Sequence, residues 1–142
     1  MSHDESKRPT TPEGAPASST DSSTWSPYTK ARARDRRGFV LNGDGIVCID
    51  LDHCIGADGT LSPLARALLD RCPPTYIEIS PSGDGLHVWG RGDVVQGRRM
   101  RRRGGAVEVY GTGRYMTVTG RPFESSPAVL GDLSGVIRWL MT

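Results

Sequence analysis

The side chains best suited to chemistry are an aspartate pair, a serine and a histidine around a glycine-rich turn, and a lone glutamate between apolar residues. Gly45-Ile46-Val47-Cys48-Ile49-Asp50-Leu51-Asp52 reads as a strand, so alternation puts Asp50 and Asp52 on one face. Val47, Ile49 and Leu51 then face a core, while Ile46 and Cys48 share the acids' face and floor a partly buried pocket. Two like charges roughly 6–7 Å apart on a strand repel unless a hard divalent cation sits between them. A metal site is therefore one reading. The other is that Asp50-Leu51-Asp52-His53 simply ends a strand and begins a loop. Glu108 stands opposite in alternation to Val107 and Val109, on a polar face. Cys48, His53, Cys54 and Cys72 fit no paired C-x₂-C spacing, which argues against a structural zinc.

These residues need elements to hold them. Phe39-Val40-Leu41 is predicted to be a strand, and the turn Asn42-Gly43-Asp44-Gly45 is expected to join it to the Ile46–Asp52 strand as a hairpin. Ser62-Pro63 starts a helix with an N-cap and a first-turn proline, and Pro73-Pro74 stops it. Leu64, Ala67, Leu68 and Cys72 form its apolar face. Residues 75–80 alternate, with Ile77 and Ile79 on one side and Tyr76, Glu78 and Ser80 on the other. The turn Pro81-Ser82-Gly83-Asp84-Gly85 leads into the returning strand Leu86-His87-Val88-Trp89. Residues 97–105 are expected to form a basic loop, and 106–110 and 115–119 two further strands. Leu133, Val136, Ile137 and Leu140 repeat at helical spacing, which predicts an amphipathic C-terminal helix over 124–142. A short capped helix is expected from Ser22 towards Arg34, with Trp25 and Tyr28 on its apolar side.

The 142 residues suit one domain, and no apolar run approaches the roughly 18–20 residues of a membrane span. Met1-Ser2-His3-Asp4-Glu5 has no signal-peptide core, so the chain is expected to stay in the cytoplasm, with its three cysteines as free thiols. Charge is unevenly spread. Residues 39–90 carry two arginines against seven acids, and residues 91–121 carry eight arginines against two. An acidic centre followed by a basic stretch suits a metal-centred pocket whose rim attracts polyanions. A solvated arginine-rich hairpin has the same composition.

Acid pair, Ser-Gly-x-Gly-x-His and later strand carboxylate, in this order, resemble the bifunctional primase–polymerase (prim-pol) domain of the archaeo-eukaryotic primase superfamily, phage and mobile-element type. The matching text is GFVLNGDGIVCIDLDHC (38–54), YIEISPSGDGLHVWGRG (76–92) and VEVYGTGRYMTVTGR (107–121), preceded by KRPTTPEGAPASSTDSSTW (7–25). The resemblance implies an α+β fold, an RRM-like antiparallel sheet with flanking helices and a small N-terminal subdomain. It implies one catalytic domain over 1–142, with residues 1–6 disordered, a lead-in at 7–37, a core at 38–123 and the C-terminal helix beyond. Asp50, Asp52 and Glu108 would be catalytic acids holding two Mg²⁺ or Mn²⁺ ions. Ser82 and His87 would meet the incoming dNTP or NTP, with Gly83 and Gly85 presenting backbone N–H groups to its phosphates. Ser80 is a further nucleotide candidate or a turn cap, and Arg114 a phosphate contact or a solvated charge. Arg98, Arg99, Arg101, Arg102 and Arg103 are the candidates for DNA template and primer. By the same resemblance the activity is a DNA primase/polymerase, in the host cytoplasm if phage-encoded, with a separately encoded helicase as a further partner. The chain is expected to lack the family's first strand and the accessory region of larger relatives.

Two other classes remain in play. A haloacid-dehalogenase-type phosphohydrolase shares the strand-Asp-x-Asp pattern but needs a downstream lysine, whereas Lys7 and Lys30 both lie upstream. A non-catalytic RRM-like nucleotide- or nucleic-acid-binding module would keep the metal site without turnover.

Overall fold

A computed structural model describes residues 2–3, 9–10 and 37–142. Of residues 1–6, expected to be disordered, Ser2–His3 are described and form a strand; the rest of 1–6, most of the lead-in and the helix from Ser22 lie outside the described residues. The strands are β1 (Ser2–His3), β2 (Pro9–Thr10), β3 (Arg37–Asn42), β4 (Ile46–Leu51), β5 (Ile77–Ile79), β6 (Leu86–Arg91), β7 (Arg98–Arg102), β8 (Gly105–Tyr110), β9 (Thr112–Val118) and β10 (Gly131–Asp132). The helices are α1 (Pro63–Arg71) and α2 (Ser134–Met141). The architecture is α+β, with mainly antiparallel sheets and few helices.

The larger sheet runs β10-β6-β4-β8-β7, and β5 pairs with β6 beside β10. Its strands bury Val47, Ile49, Leu51, Leu86, Val88, Val107 and Val109 on one face, against α1 and α2. α1 starts as the sequence predicts, with the Ser62 hydroxyl accepting from the Ala65 N–H and Pro63 in the first turn; Leu64 and Leu68 are buried as expected, whereas Ala65 is buried and Ala67 only half-buried. α2 packs Val136, Ile137 and Leu140 into the same core. It fills only the last part of 124–142, and the residues just before it add β10 in parallel to β6.

The smaller sheet, β2-β1-β3-β9, covers part of the opposite face. Leu41 and Met116 from it meet Cys48 and Trp89 from the larger sheet in a second core, with Phe39 edge-on to Trp89 at 6.1 Å. Ile46 does line an apolar cleft there, with Phe39, Tyr76, Trp89, Val118 and Leu130, while Cys48 is buried.

Two expectations are corrected. β3 and β4 are not a hairpin: β3 pairs with β9, and β4 with β6 and β8. The glycine turn instead carries the chain from one sheet to the other. Gly43 and Gly45 take positive φ there, and the Gly43 N–H donates to the Gly111 carbonyl, where the chain crosses back. Residues 97–105 are no loop either, because Arg98–Arg102 form the edge strand β7. Only Met100 points from it into the core, so the inward alternation is masked by arginines.

Candidate metal and nucleotide site

Strand pairing, not proximity in sequence, assembles the site. Across the larger sheet the register aligns Glu78 with His87, His87 with Asp50, Asp50 with Glu108 and Glu108 with Arg99. One row of charged and polar side chains thus crosses five strands. All five lie on the face opposite the helices, because their neighbours Ile49, Val88 and Val107 fill the main core.

At the middle of the row, Asp50 and Glu108 are joined by Asp52, just beyond the end of β4. Each of the three offers a carboxylate oxygen within 4.8 Å of the others, and all three are half-buried. Three oxygen donors with partial burial fit a hard divalent cation, and the donor set contains no sulfur or imidazole. Arg99 reaches Glu108 at 3.7 Å, and Arg114 lies 4.0 Å from it with its guanidinium 4.5 Å above the Tyr110 ring. Arg114 comes from β9, so the smaller sheet also contributes to the site.

His87 is buried at 3% exposure between Glu78 and Asp50. Its Nδ1 is 3.0 Å from Glu78 Oε2, and its Nε2 is 3.7 Å from Asp50 Oδ1. Burial by itself would raise the Glu78 carboxyl, but hydrogen bonds from His87 and from the N–H groups of Thr119 and Gly120 hold it below its ordinary range. Burial, reinforced by the charges of Asp50 and Glu78, pushes the Cys48 thiol well up, which keeps it protonated and inert.

The turn between β5 and β6 is internally bonded. The Gly85 N–H donates to Ser80 Oγ at 3.1 Å, Ser80 and Ser82 share a hydrogen bond of 2.9 Å, and Ser82 donates to Asp84 at 2.7 Å. His53 closes the chain on the other Asp84 oxygen at 2.7 Å, tying the end of the acid-bearing strand to the turn. Ser82 and then His53 lower the Asp84 carboxyl, and that same bond to Asp84 raises the His53 ring. Ser80 therefore caps the turn. Gly83 and Gly85 both spend their N–H groups inside it, on the Ser80 carbonyl and hydroxyl, and their value here is geometric.

The expected arginine group is divided by alternation. Arg99 faces the acids, and Arg101 shares its side of β7. Arg98 and Arg102 point the other way, to Met141 Sδ and the Leu140 carbonyl at the end of α2. Arg103, in the turn after β7, lies over Trp139. Glu78 is the residue that sequence reasoning passed over. A hairpin closed at Ser80 and Gly85 puts positions 78 and 87 opposite each other, and that register was the available signal.

The chain belongs to the family described as bifunctional DNA primase/polymerase, N-terminal, which matches residues 2–129. One relative is the DNA primase-polymerase of Nitratiruptor phage NrS-1. It is 43% identical over 122 residues, an alignment covering 78% of this chain and 17% of that protein. This chain thus spans under a fifth of that relative's length.

Proposed function

We propose that this chain carries a template-dependent nucleotidyltransferase site, in which Asp50, Asp52 and Glu108 hold two divalent cations, Mg²⁺ or Mn²⁺. The observation that supports it most is the convergence of three carboxylates from two paired strands and a strand end. Bound there, such cations supply charge neutralisation at the attacking 3′-oxygen and at the leaving pyrophosphate. The protein's own part is positioning. Asp50 and Glu108 are fixed by the register of β4 and β8, so their spacing does not depend on loop conformation. His87 Nε2 borders Asp50, and in this reading it and the Ser82 hydroxyl on the adjoining turn meet a nucleotide's phosphates, dNTP or NTP. In this reading Arg114 adds charge from the second sheet, and Arg99 and Arg101 meet template or primer phosphates along the edge strand.

In this reading, the larger sheet with α1 and α2 is the RRM-like catalytic core of the family, acting in replication of a phage or mobile element in the host cytoplasm. Among the described residues no helix is long and apolar enough to cross a membrane. A separately encoded helicase would be the partner that opens the template.

The test is extension of a primed template with labelled dNTPs and Mn²⁺. Asp50→Asn, Asp52→Asn and Glu108→Gln are each expected to abolish extension while leaving the circular dichroism spectrum intact. Near-wild-type extension in any of the three refutes the assignment. Binding of Mn²⁺ and dNTP by the wild-type chain without extension would favour the non-catalytic binding module instead.

A further inference from the structure

Glu78 is completely buried, and a carboxylate out of water is costly unless its lone pairs are taken up. Here every lone-pair site is used. Oε2 lies against His87 Nδ1 at 3.0 Å and the Thr119 N–H at 3.2 Å. Oε1 accepts from the Tyr76 hydroxyl at 3.0 Å and the Gly120 N–H at 3.2 Å. Three of the four positions are donors, the Tyr76 hydroxyl and the Thr119 and Gly120 N–H groups, and they favour the ionised carboxylate, which can only accept. His87 Nδ1 must then carry the hydrogen in that bond. When one imidazole nitrogen is tied in this way, the other is defined in direction and in what it can do.

We propose that Glu78 is a positioning residue for the nucleotide site, holding His87 by its Nδ1–H so that Nε2 is turned to Asp50 and to the phosphates beside it. The inference rests on the reading of His87 as a phosphate contact, and it adds the group that aims it. Three features support a role beyond stapling strands. The pair shares a register position on a tightly closed hairpin. The ring has 3% exposure and sits edge-on to Trp89 at 6.4 Å, so it has little room to turn. Its second nitrogen faces the metal-type cluster rather than solvent. A carboxylate needed only to join β5 to residues 119–120 would require the backbone donors alone.

Two measurements decide the matter. The first uses the unaltered chain: ¹⁵N NMR of the His87 ring is expected to show a protonated, hydrogen-bonded Nδ1. A bare Nδ1 overturns the proposal, whether or not any variant folds. The second is a double-mutant cycle on dATP binding in Mn²⁺, read by calorimetry. Glu78→Gln is expected to weaken dATP roughly ten- to hundredfold, the usual loss when the partner orienting a functional histidine is removed. Glu78→Gln combined with His87→Ala is expected to bind no worse than His87→Ala alone, because Glu78 acts through His87. Additive losses, or a weakened His87→Ala beside an unaltered Glu78→Gln, overturn the positioning role alone. Unchanged affinity in His87→Ala overturns the phosphate role of His87, and the positioning role falls with it.

Discussion

A buried acid surrounded by donors makes the protein sensitive to acid. The Glu78 carboxyl is held below its ordinary value of 4.5 in the folded chain, so folding favours its charged form. The sign follows directly. Stability from Glu78 is complete at pH values above 4.5 and is lost as pH falls through the lower folded value. Glu78→Gln sets an amide NH₂ against two N–H or O–H donors and is expected to cost about 1–3 kcal/mol at neutral pH. Melting temperatures of the two proteins should converge as the pH drops below 4.5, since a protonated glutamate has lost the same acceptor. A gap of constant size down to acid unfolding would show that the carboxylate's charge is not what stabilises it. Asp50, Asp52 and Glu108 were legible in the sequence because carboxylates next to apolar strand residues stand out. Glu78 had the same kind of neighbours, Ile77 and Ile79, but its meaning depends on a partner nine residues on that only a hairpin register supplies.

The hairpin of β5 and β6 is where that register is set. Its turn presses on the end of β4: a Cβ on Gly85 would lie 2.7 Å from the Leu51 carbonyl and 2.8 Å from Ser80 Oγ. Backbone cannot yield cheaply to such a contact, so Gly85→Ala is expected to cost about 1–3 kcal/mol and to shift the turn off the acids. Gly83 is different, with φ at +85° and open space around its Cβ position. Gly83→Ala should cost only the strain of a left-handed residue, about 1–2 kcal/mol. Urea unfolding and dATP titration of both variants check this, and an equal loss of nucleotide affinity would refute the distinction. Local chemistry was a good guide where it acts locally: Ser62-Pro63 began a helix, and Gly83 and Gly85 closed a hairpin. It failed at Asn42-Gly43-Asp44-Gly45, where the glycines serve a crossing between sheets. A turn motif reports that the chain bends, and not which strand it will pair with. The partner of β3 was decided by Leu41 and Met116 packing on Trp89, an arrangement that no short window of sequence contains.

Taken as a whole, the molecule has two unlike sides, and its arginines are sorted between them. The larger sheet is packed by helices on one face and half-covered by the smaller sheet on the other, which leaves the acid cluster on the uncovered margin. An edge strand dense in arginine also protects an otherwise open sheet from pairing with another chain, so part of that charge has a structural purpose. Sequence alone presents Arg98, Arg99, Arg101 and Arg102 as one basic run. Strand alternation separates them into a pair beside the acids and a pair holding the end of α2. If nucleic acid lies over the acid face, only the first pair should meet it. Arg99→Ala with Arg101→Ala is expected to weaken binding of a primed template and to flatten its salt dependence, by about 0.9 in the log–log slope for each phosphate no longer neutralised. Arg98→Ala with Arg102→Ala should leave that slope unchanged and instead lower the melting temperature, because Arg102 caps the Leu140 carbonyl. Fluorescence anisotropy across a salt series measures the first effect and thermal melts the second. Equal slopes in the two double variants would mean that nucleic acid does not approach over the acid face.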